Sequence, residues 1–431
     1  MSSRLRSSSL RCSLLCLAVW LTFATSGFAS TFKVIYTFGS SGTSDAAWPQ
    51  GTLIRDAAGN LYGTTVAGGA YGNGAVYEVS PGSDGNWTEK ILYSFTGKAD
   101  GAVPVAGLML DSDGTLYGTT QRGGTFSKTC SPGCGVVFKL SPGQAGWTET
   151  VLHSFAAGRD GAWPNDGVIL DSAENLYGTT AGGGRTDICA QGCGMVFELL
   201  RAKGWEEKVL HAFTSYPTDG DDPSGGLTFD AKGNLLGTTP VGGIGPCCVG
   251  YNGGTVFELT PQADGTWSEA LLHTFCSDYA CRDGNIPSAG VVVHNGEVYG
   301  TTLAGGPGEG VGEVYRVPEM AGGSSISAFA LAGAEGEFPV TPVLFVGEQM
   351  FGTAQQGGMV NGACPTAGNG VVFELERQGS ALNETVLYSF TGGDDGCAPA
   401  AGLVADRAGN LYGTAENGGE FGSGVIFEVT P

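Results

Sequence analysis

A five-residue motif, Leu-Tyr-Gly-Thr-Thr, returns seven times in this chain and constrains its fold more than any other feature. The three intact copies and four variants begin at Leu61, Leu116, Leu176, Leu235, Val298, Met350 and Leu411. Successive copies are separated by 52 to 63 residues. A motif that recurs at such intervals is typical of repeat architectures, in which each unit buries its apolar face against its neighbours.

Each repeat contains four segments that resemble short strands. A Gly-Leu-type segment such as 106–111 precedes the motif, and a Val-Phe-Glu-Leu-type segment such as 136–140 follows a glycine-rich loop. A Leu-Tyr-Ser-Phe-type segment such as 90–95 ends the unit. Four short strands per repeat indicate a propeller blade, and 76 glycines in 431 residues disfavour long helices. We therefore predict an all-β fold, a seven-bladed β-propeller of four-stranded blades.

The chain ends predict the strand order and the closure of the ring. Residues 32–38 match the Leu-Tyr-Ser-Phe type, whereas residues 425–429 match the Val-Phe-Glu-Leu type. If the Gly-Leu-type strand is innermost, the last repeat lacks its outermost strand, and the N-terminal strand supplies it. This register removes exposed sheet edges, whereas the alternative, with the Leu-Tyr-Ser-Phe strand innermost, gives the ends no closing role. We expect one domain over residues 30–431.

Residues 1–29 have the pattern of a signal peptide. Arg4, Arg6 and Arg11 form a basic start, an apolar run of 12 residues follows, and Ala29 offers a cleavage site. The apolar run is too short for a bilayer span, which needs about 20 residues, and no hydrophobic anchor precedes Pro431. We expect a monomer that is secreted, extracellular or periplasmic, and not membrane-spanning.

The repeat also resembles the GloVer tandem-repeat family of exported bacterial proteins, which is β-propeller-like. The resemblance is carried by Leu-Tyr-Gly-Thr-Thr, the following Gly-Gly pair, Val-Phe-Glu-Leu, Leu-Tyr-Ser-Phe and Asp-Gly-x-x-Pro, and it covers nearly all of residues 32–431. It implies an exported repeat protein, often one with a C-terminal surface anchor of a kind that this chain lacks. The resemblance does not imply a particular reaction.

The charge is strongly negative, with 42 acidic against 20 basic residues and a formal net charge of −22. Such a field repels phosphate backbones, so we predict no nucleic-acid partner. An acidic residue stands four positions before a proline in the loop after each Leu-Tyr-Ser-Phe segment. The seven acids are Asp45, Asp100, Asp160, Asp219, Asp283, Glu335 and Asp395.

Because these loops lead to the innermost strands, we expect their carboxylates to ring the mouth of the central channel. Two interpretations follow: these residues bind a polar ligand or a hard cation such as calcium, since carboxylate oxygens suit Ca²⁺, or they are turn residues that bond their own backbone. Recurrence in every repeat favours the turn. We predict no cofactor, with calcium as the one alternative.

Aromatic residues precede the loop proline in three repeats, at Trp48, Trp163 and Phe338. They are candidates to stack on a sugar ring, with core packing between blades as the alternative. Three histidines, His153, His211 and His273, replace the tyrosine of the outer strand. Lying in different blades, they are expected to pack rather than to share a metal ion, and no metal site is predicted.

Ten cysteines remain after the signal segment, an even number that suits an oxidising compartment. Local bridges are expected for Cys130–Cys134 and Cys189–Cys193, and a bridge between loops for Cys364–Cys397. Two further bridges are expected to join Cys247 and Cys248 to Cys276 and Cys281.

The sequence shows no triad or metalloprotease motif. We predict an exported, non-catalytic binding protein. Its ligand, a carbohydrate or an extracellular protein, is expected to bind on one loop face. One alternative is a hydrolase or lyase with a site at the channel mouth, for which Asp221, Asp222 and Asp283 are the residues to substitute. The other is a structural envelope protein.

Overall fold

Each copy of the repeat forms an antiparallel four-stranded sheet in the computed structural model, and seven such sheets make a β-propeller. The structure describes residues 30–40, 42, 45–126, 128–215, 217–243, 253–306, 310–318, 327–331, 336–360, 364, 368–378 and 381–431. The predicted signal peptide, Cys247, Cys248 and Glu335 lie outside these ranges. The all-β, seven-bladed prediction is confirmed.

The first three blades contain one inner, one second, one third and one outer strand each, in chain order. In blade 1 these are β3 (Ile54–Arg55), β4 (Leu61–Gly68), β5 (Ala75–Pro81) and β6 (Trp87–Ser94), preceded by β1 (Thr31–Thr37) and by β2 (Ala46–Pro49), which pairs with β4. Blades 2 and 3 contain β7 (Met109–Leu110), β8 (Leu116–Thr120), β9 (Val136–Gly143), β10 (Gly146–Ser154), β11 (Ile169–Leu170), β12 (Leu176–Thr180), β13 (Met195–Leu200) and β14 (Glu206–Ala212).

The remaining blades repeat this order. Blade 4 contains β16 (Thr228–Phe229), β17 (Leu235–Thr239), β19 (Thr255–Pro261) and β20 (Trp267–Thr274), with the small pair β15 (Gly220–Asp221) and β18 (Val241–Gly242) beside it. Blades 5, 6 and 7 contain β21 (Val292–His294), β22 (Glu297–Thr302), β23 (Glu313–Pro318), β24 (Ser327–Ala330), β25 (Leu344–Val346), β26 (Gln349–Ala354), β27 (Val371–Gln378), β28 (Ala381–Ser389), β29 (Val404–Ala405), β30 (Leu411–Ala415) and β31 (Val425–Thr430).

The order of strands within a blade is the predicted one. In blade 2, for example, β7, β8, β9 and β10 are neighbours in that order, so the Gly-Leu-type strand is innermost and the Leu-Tyr-Ser-Phe-type strand outermost. In blade 7, β1 occupies the outer position and pairs antiparallel with β31 from Thr31↔Thr430 to Thr37↔Val425. That this strand closes the ring stays a prediction, for which a test is given below.

The core lies between adjacent blades. Phe95, at the end of one outer strand, packs edge-on against Phe138 of the next blade, with 5.1 Å between ring centroids. Phe38, which follows β1, packs in the same way against Tyr77 of blade 1, at 5.0 Å. These aromatic side chains are fully buried. Aromatic pairs of this geometry add to the free energy gained from area burial.

The glycine of each Leu-Tyr-Gly-Thr-Thr copy is needed by the packing within its blade. A Cβ atom on Gly118 would lie 2.7 Å from the ring of Phe138 on the neighbouring strand. The first threonine of the motif reaches the next blade, since the Thr64 hydroxyl donates to the Ala106 carbonyl at 2.7 Å. The motif therefore serves packing inside the blade and hydrogen bonding between blades.

Candidate functional site

Two sets of loops share one face of the propeller, here called the loop face: the loops from second to third strands, and the loops from an outer strand to the next inner strand. A short bridge joins the two sets, for example between Ala102 and Arg122. Each outer-to-inner loop crosses this face from the rim to the centre, because it must connect the outermost strand of one blade to the innermost strand of the next.

The acidic loop residues lie near the rim of this face. The Asp100 carboxylate accepts hydrogen bonds from the Tyr93 hydroxyl of the outer strand at 3.0 Å and from the Thr96 amide at 2.7 Å. Asp395 bonds in the same way to Tyr388 and Thr391, at 2.8 and 2.7 Å. The expectation that the carboxylates ring the channel mouth is therefore wrong for the described residues, because the acid comes early in the loop, before the chain has crossed the face.

The other described members of the set have equivalent partners. Asp45 accepts from the Gly39 amide at 2.9 Å, and Asp160, Asp219 and Asp283 lie 3.0 to 3.2 Å from His153, His211 and His273. These contacts support the turn interpretation, since each carboxylate serves its own loop and strand. Calcium binding by the set is the less favoured alternative, and the calorimetry described below tests it.

The residue before each loop proline has a left-handed backbone. Trp48, Trp163 and Phe338 have φ values of 63°, 58° and 56°, and Val103, Asp222, Ile286 and Ala398 share this conformation. Each amide donates to a carbonyl of the preceding blade; Trp163 N, for example, bonds Cys134 O at 2.8 Å. Left-handed φ is costly for a residue with a side chain, so these hydrogen bonds between blades hold a backbone that the sequence disfavours.

The three aromatic candidates differ in exposure. Trp48 is 45% exposed, whereas Trp163 and Phe338 are half-buried. The ring of Trp163 lies against the backbone of Gly182, where an added Cβ would meet it at 2.7 Å. Trp163 thus combines both interpretations: it packs between blades and still contributes to the surface.

A depression of about 410 Å³ lies beside Trp163 on the loop face. Its polar lining includes Gln191, Asp221 and Asp222. Burial, and then the charge of Asp221, raises the pKa of Asp222 to about 6. The Ser215 hydroxyl donates to Asp221 at 2.8 Å, and burial raises the pKa of that carboxyl too. Gln191 was not expected here, because the equivalent position in the preceding repeat is Pro132, whose side chain has no polar atom.

The channel mouth is a narrower opening of about 140 Å³, lined by the residues that follow each loop proline. Most are small, and Asp166 is the acidic residue among those that the structure describes there. Burial raises the pKa of Asp166 to about 6, although the Gly167 amide donates to its carboxylate at 2.6 Å. The sequence analysis missed Asp166. The feature that could have revealed it is an acidic residue at a position that Ala106 and Ala289 occupy in other repeats.

A third opening, of about 430 Å³, lies between blades 5 and 6 near the loops that join inner to second strands. His294 lines it and stacks on Phe345, with ring centroids 4.0 Å apart. Phe345 belongs to the following blade, so the sequence of one repeat does not indicate this contact.

Four disulfides lie in the described residues. Three are the predicted bridges Cys130–Cys134, Cys189–Cys193 and Cys364–Cys397. The fourth joins Cys276 to Cys281, so the predicted bridges from these two residues to Cys247 and Cys248 are wrong. The loop folds back on itself, because the Cys281 amide donates to Asp278 O and the Cys276 amide to Gly284 O, and this turn brings the two Cα atoms within 4.0 Å.

These bridges are consistent with an extracellular location. Within the described ranges, no helix is both long and apolar enough to cross a membrane.

A comparison with family models shows to which family the chain belongs. The model described as the Gloeobacter/Verrucomicrobia repeat matches residues 22–130, 91–279 and 250–431. The chain belongs to this repeat family. The resemblance expected from the sequence is thereby confirmed, and the matched ranges together cover all seven blades. A search of curated proteins found no match.

Solved structures align with this chain at low sequence identity. A putative 6-phosphogluconolactonase from Bacteroides uniformis ATCC 8492 aligns with a TM-score of 0.51 and 13% identity over 83% of this chain and 88% of its own. The PQQ-bound aldose sugar dehydrogenase from Streptomyces coelicolor aligns with a TM-score of 0.43 and 14% identity over 80% of this chain and 97% of its own. At 13% identity the similarity to the putative lactonase concerns the fold alone.

Proposed function

We propose that this repeat protein binds a carbohydrate on its loop face, in the depression beside Trp163, and does so without catalysing a reaction. The observation that carries the proposal is the composition of that depression. An indole lies next to two carboxyl groups and an amide, Asp221, Asp222 and Gln191, in a space of about 410 Å³. A sugar offers the matching chemistry, since its apolar ring face packs on an aromatic ring and its hydroxyls donate to carboxylates.

Backbone hydrogen bonds hold Trp163, the aromatic platform of this site, in place before any ligand binds. The Trp163 amide donates to Cys134 O at 2.8 Å, and its carbonyl accepts from the Ala181 amide at 3.0 Å. The disulfide Cys130–Cys134 fixes the first of these partners from the preceding blade. Binding to a preformed site loses less conformational entropy, so this rigidity favours affinity.

A second aromatic platform supports an extended ligand. Trp48 occupies the equivalent position between blades 7 and 1, and it is 45% exposed. Two indoles at the same radius of one face suit a polysaccharide or a glycan-rich surface better than a free monosaccharide.

The experiment is a binding screen of the intact protein against a glycan array and insoluble polysaccharides, followed by calorimetry on each hit. We expect Trp163→Ala to weaken binding about 10-fold to 100-fold, which corresponds to about 1.4 to 2.8 kcal/mol. Asp113→Asn is the control, because Asp113 lies in an exposed turn between an inner and a second strand. Unchanged affinity in Trp163→Ala, or no glycan bound by the wild-type protein, would overturn the proposal.

A second candidate, a hydrolase or lyase at the channel mouth, is favoured by Asp166. Its pKa of about 6 suits a general acid at neutral pH. The test is turnover of glycosidic and lactone substrates, with Asp166→Asn as the inactive variant. Activity that Asp166→Asn leaves intact would reject this site, and binding without turnover would leave the carbohydrate-binding function.

A further inference from the structure

Two interfaces between blades bring a histidine and an aspartate together near the rim. His153 Nε2 lies 3.0 Å from Asp160 Oδ1, and His211 Nε2 lies 3.2 Å from Asp219 Oδ2. In both cases the histidine belongs to an outer strand and the aspartate to the loop that follows. A β-bulge at the residue before each histidine turns its ring toward that loop.

The next blade adds a glutamate to each pair. Glu207 Oε1 lies 3.9 Å from His153 Nε2, and Glu269 Oε2 lies 3.6 Å from His211 Nε2. In each group, one ligand atom from each of the three residues lies within 4.8 Å of the other two. Glu207 Oε1 and Glu269 Oε1 are buried and have no hydrogen-bond partner. Each interface therefore holds one nitrogen and two carboxyl oxygens, with lone pairs left over.

We propose that His153, Asp160 and Glu207 bind one divalent transition-metal ion, and that His211, Asp219 and Glu269 bind another, with Zn²⁺ as the best fit. Zinc bonds imidazole nitrogen and carboxylate oxygen at about 2.0 to 2.2 Å, so tetrahedral ligands lie about 3.3 Å apart. The distances of 3.0 to 3.9 Å are close to that separation. The histidines are partly exposed, which gives an ion access and leaves a fourth position to water.

The other repeats provide an internal contrast. Asp100 and Glu149 form the same kind of acid pair, but Tyr93 stands where these sites have histidine and donates to Asp100 at 3.0 Å. His273 and Asp283 lie 3.2 Å apart, but the described residues give them no third ligand atom in range. In the part of the chain that the structure describes, the complete set thus occurs at two interfaces.

The test is calorimetry of the intact protein, first freed of metal with a chelator, against ZnCl₂, CoCl₂ and CaCl₂. We expect two Zn²⁺ per chain, visible absorption from bound Co²⁺, and no heat with Ca²⁺, which prefers six to eight oxygen ligands. His153→Tyr should bind one ion fewer, and the double variant with His211→Tyr should bind none. Tyrosine occupies this position elsewhere in the chain, so these variants are expected to fold, and thermal unfolding checks that they do.

A variant designed to gain a binding site is the more stringent test. Tyr93→His places an imidazole beside Asp100 and Glu149, so we expect Zn²⁺ binding to rise by one ion. Tyr93→Phe is the matched control and should leave the wild-type number unchanged. Absence of Zn²⁺ binding in the wild-type protein, or binding that survives in the double histidine variant, would overturn the proposal.

Discussion

Gly74 lies directly under the ring of Pro104, so that a Cβ atom on this glycine would stand 2.5 Å from Pro104 Cδ and 2.4 Å from the Thr65 carbonyl. The proline belongs to the loop that enters the next blade. The same contact joins the glycine before each third strand to the loop proline that follows, at 2.4 to 2.7 Å in all seven cases. At these glycines, the backbone of one blade packs directly against the loop proline that enters the next blade.

Gly74→Ala should therefore destabilise the protein strongly. The left-handed φ of 94° alone costs about 1–2 kcal/mol for a residue with a side chain, and the clash adds a further ~1–3 kcal/mol. Gly72→Ala is the control, since Gly72 also has a left-handed φ but open space around it. Chemical denaturation measures both. Equal losses in the two variants would show that the proline contact carries no weight.

Ring closure by the N-terminal strand can be tested at Phe38. If β1 is held in blade 7, Phe38→Ala should cost as much as Phe95→Ala, about 3–5 kcal/mol each, because both rings pack against a third-strand aromatic of the next blade. Thermal and urea unfolding of the two variants give the comparison. A negligible effect at Phe38 alongside a large one at Phe95 would mean that the ring is not closed by this strand.

The acid pairs between blades predict that stability falls as pH rises. Burial and then Asp45 raise the pKa of Glu89 to about 8, and burial and then Asp100 raise that of Glu149 to about 7, from 4.5. A carboxyl whose pKa is higher in the folded state binds more protons there. Its contribution is therefore complete below about pH 4.5 and is lost as the pH rises toward its folded value.

The midpoint of thermal unfolding, measured in chelator from pH 5 to 9, should decline across this window. The double variant Glu89→Gln with Glu149→Gln should decline less, because its amides do not ionise. Glu420→Gln, at an exposed position, is the control and should follow the wild-type curve. A wild-type midpoint that rises with pH would contradict the prediction.

The disulfides should differ in their contribution to stability. Cys364–Cys397 spans 33 residues and links two loops, whereas Cys189–Cys193 spans 4. On the chain-entropy estimate, replacing the first pair by serines costs about 3–4 kcal/mol and the second about 2 kcal/mol. Denaturation of both double variants measures the difference. The reverse order would indicate that local loop packing outweighs chain entropy.

The sequence predicted what the repeat imposes and missed what depends on the path of a loop. Strand order, blade number and the bridge Cys364–Cys397 follow from a period that can be counted. We expected Asp100 at the channel because its loop ends there. Spacing along the sequence, however, does not show whether a given loop residue lies near the rim or near the centre of the face. Asp166 reaches the channel because it follows the loop proline.

The acid pairs were missed for a different reason. Glu207 and Asp160 belong to consecutive repeats, and neither repeat shows the pair when it is read alone. Only the packing of one blade on the next brings them together. Likewise, Cys276 and Cys281 bond each other because a local turn brings their Cα atoms within 4.0 Å, which the spacing of cysteines along the chain does not reveal.

The pairing of Thr31 with Thr430 has a consequence for how the molecule is made. The ribosome produces β1 before any blade exists and β31 after six blades can already have formed, so the outer strand of the seventh sheet waits for its neighbour while the intervening blades are made. Local pairings within each repeat form early, whereas this contact carries the loop-closure entropy of all the residues between the two strands. Assembly of the last sheet is thus expected to be the slow step.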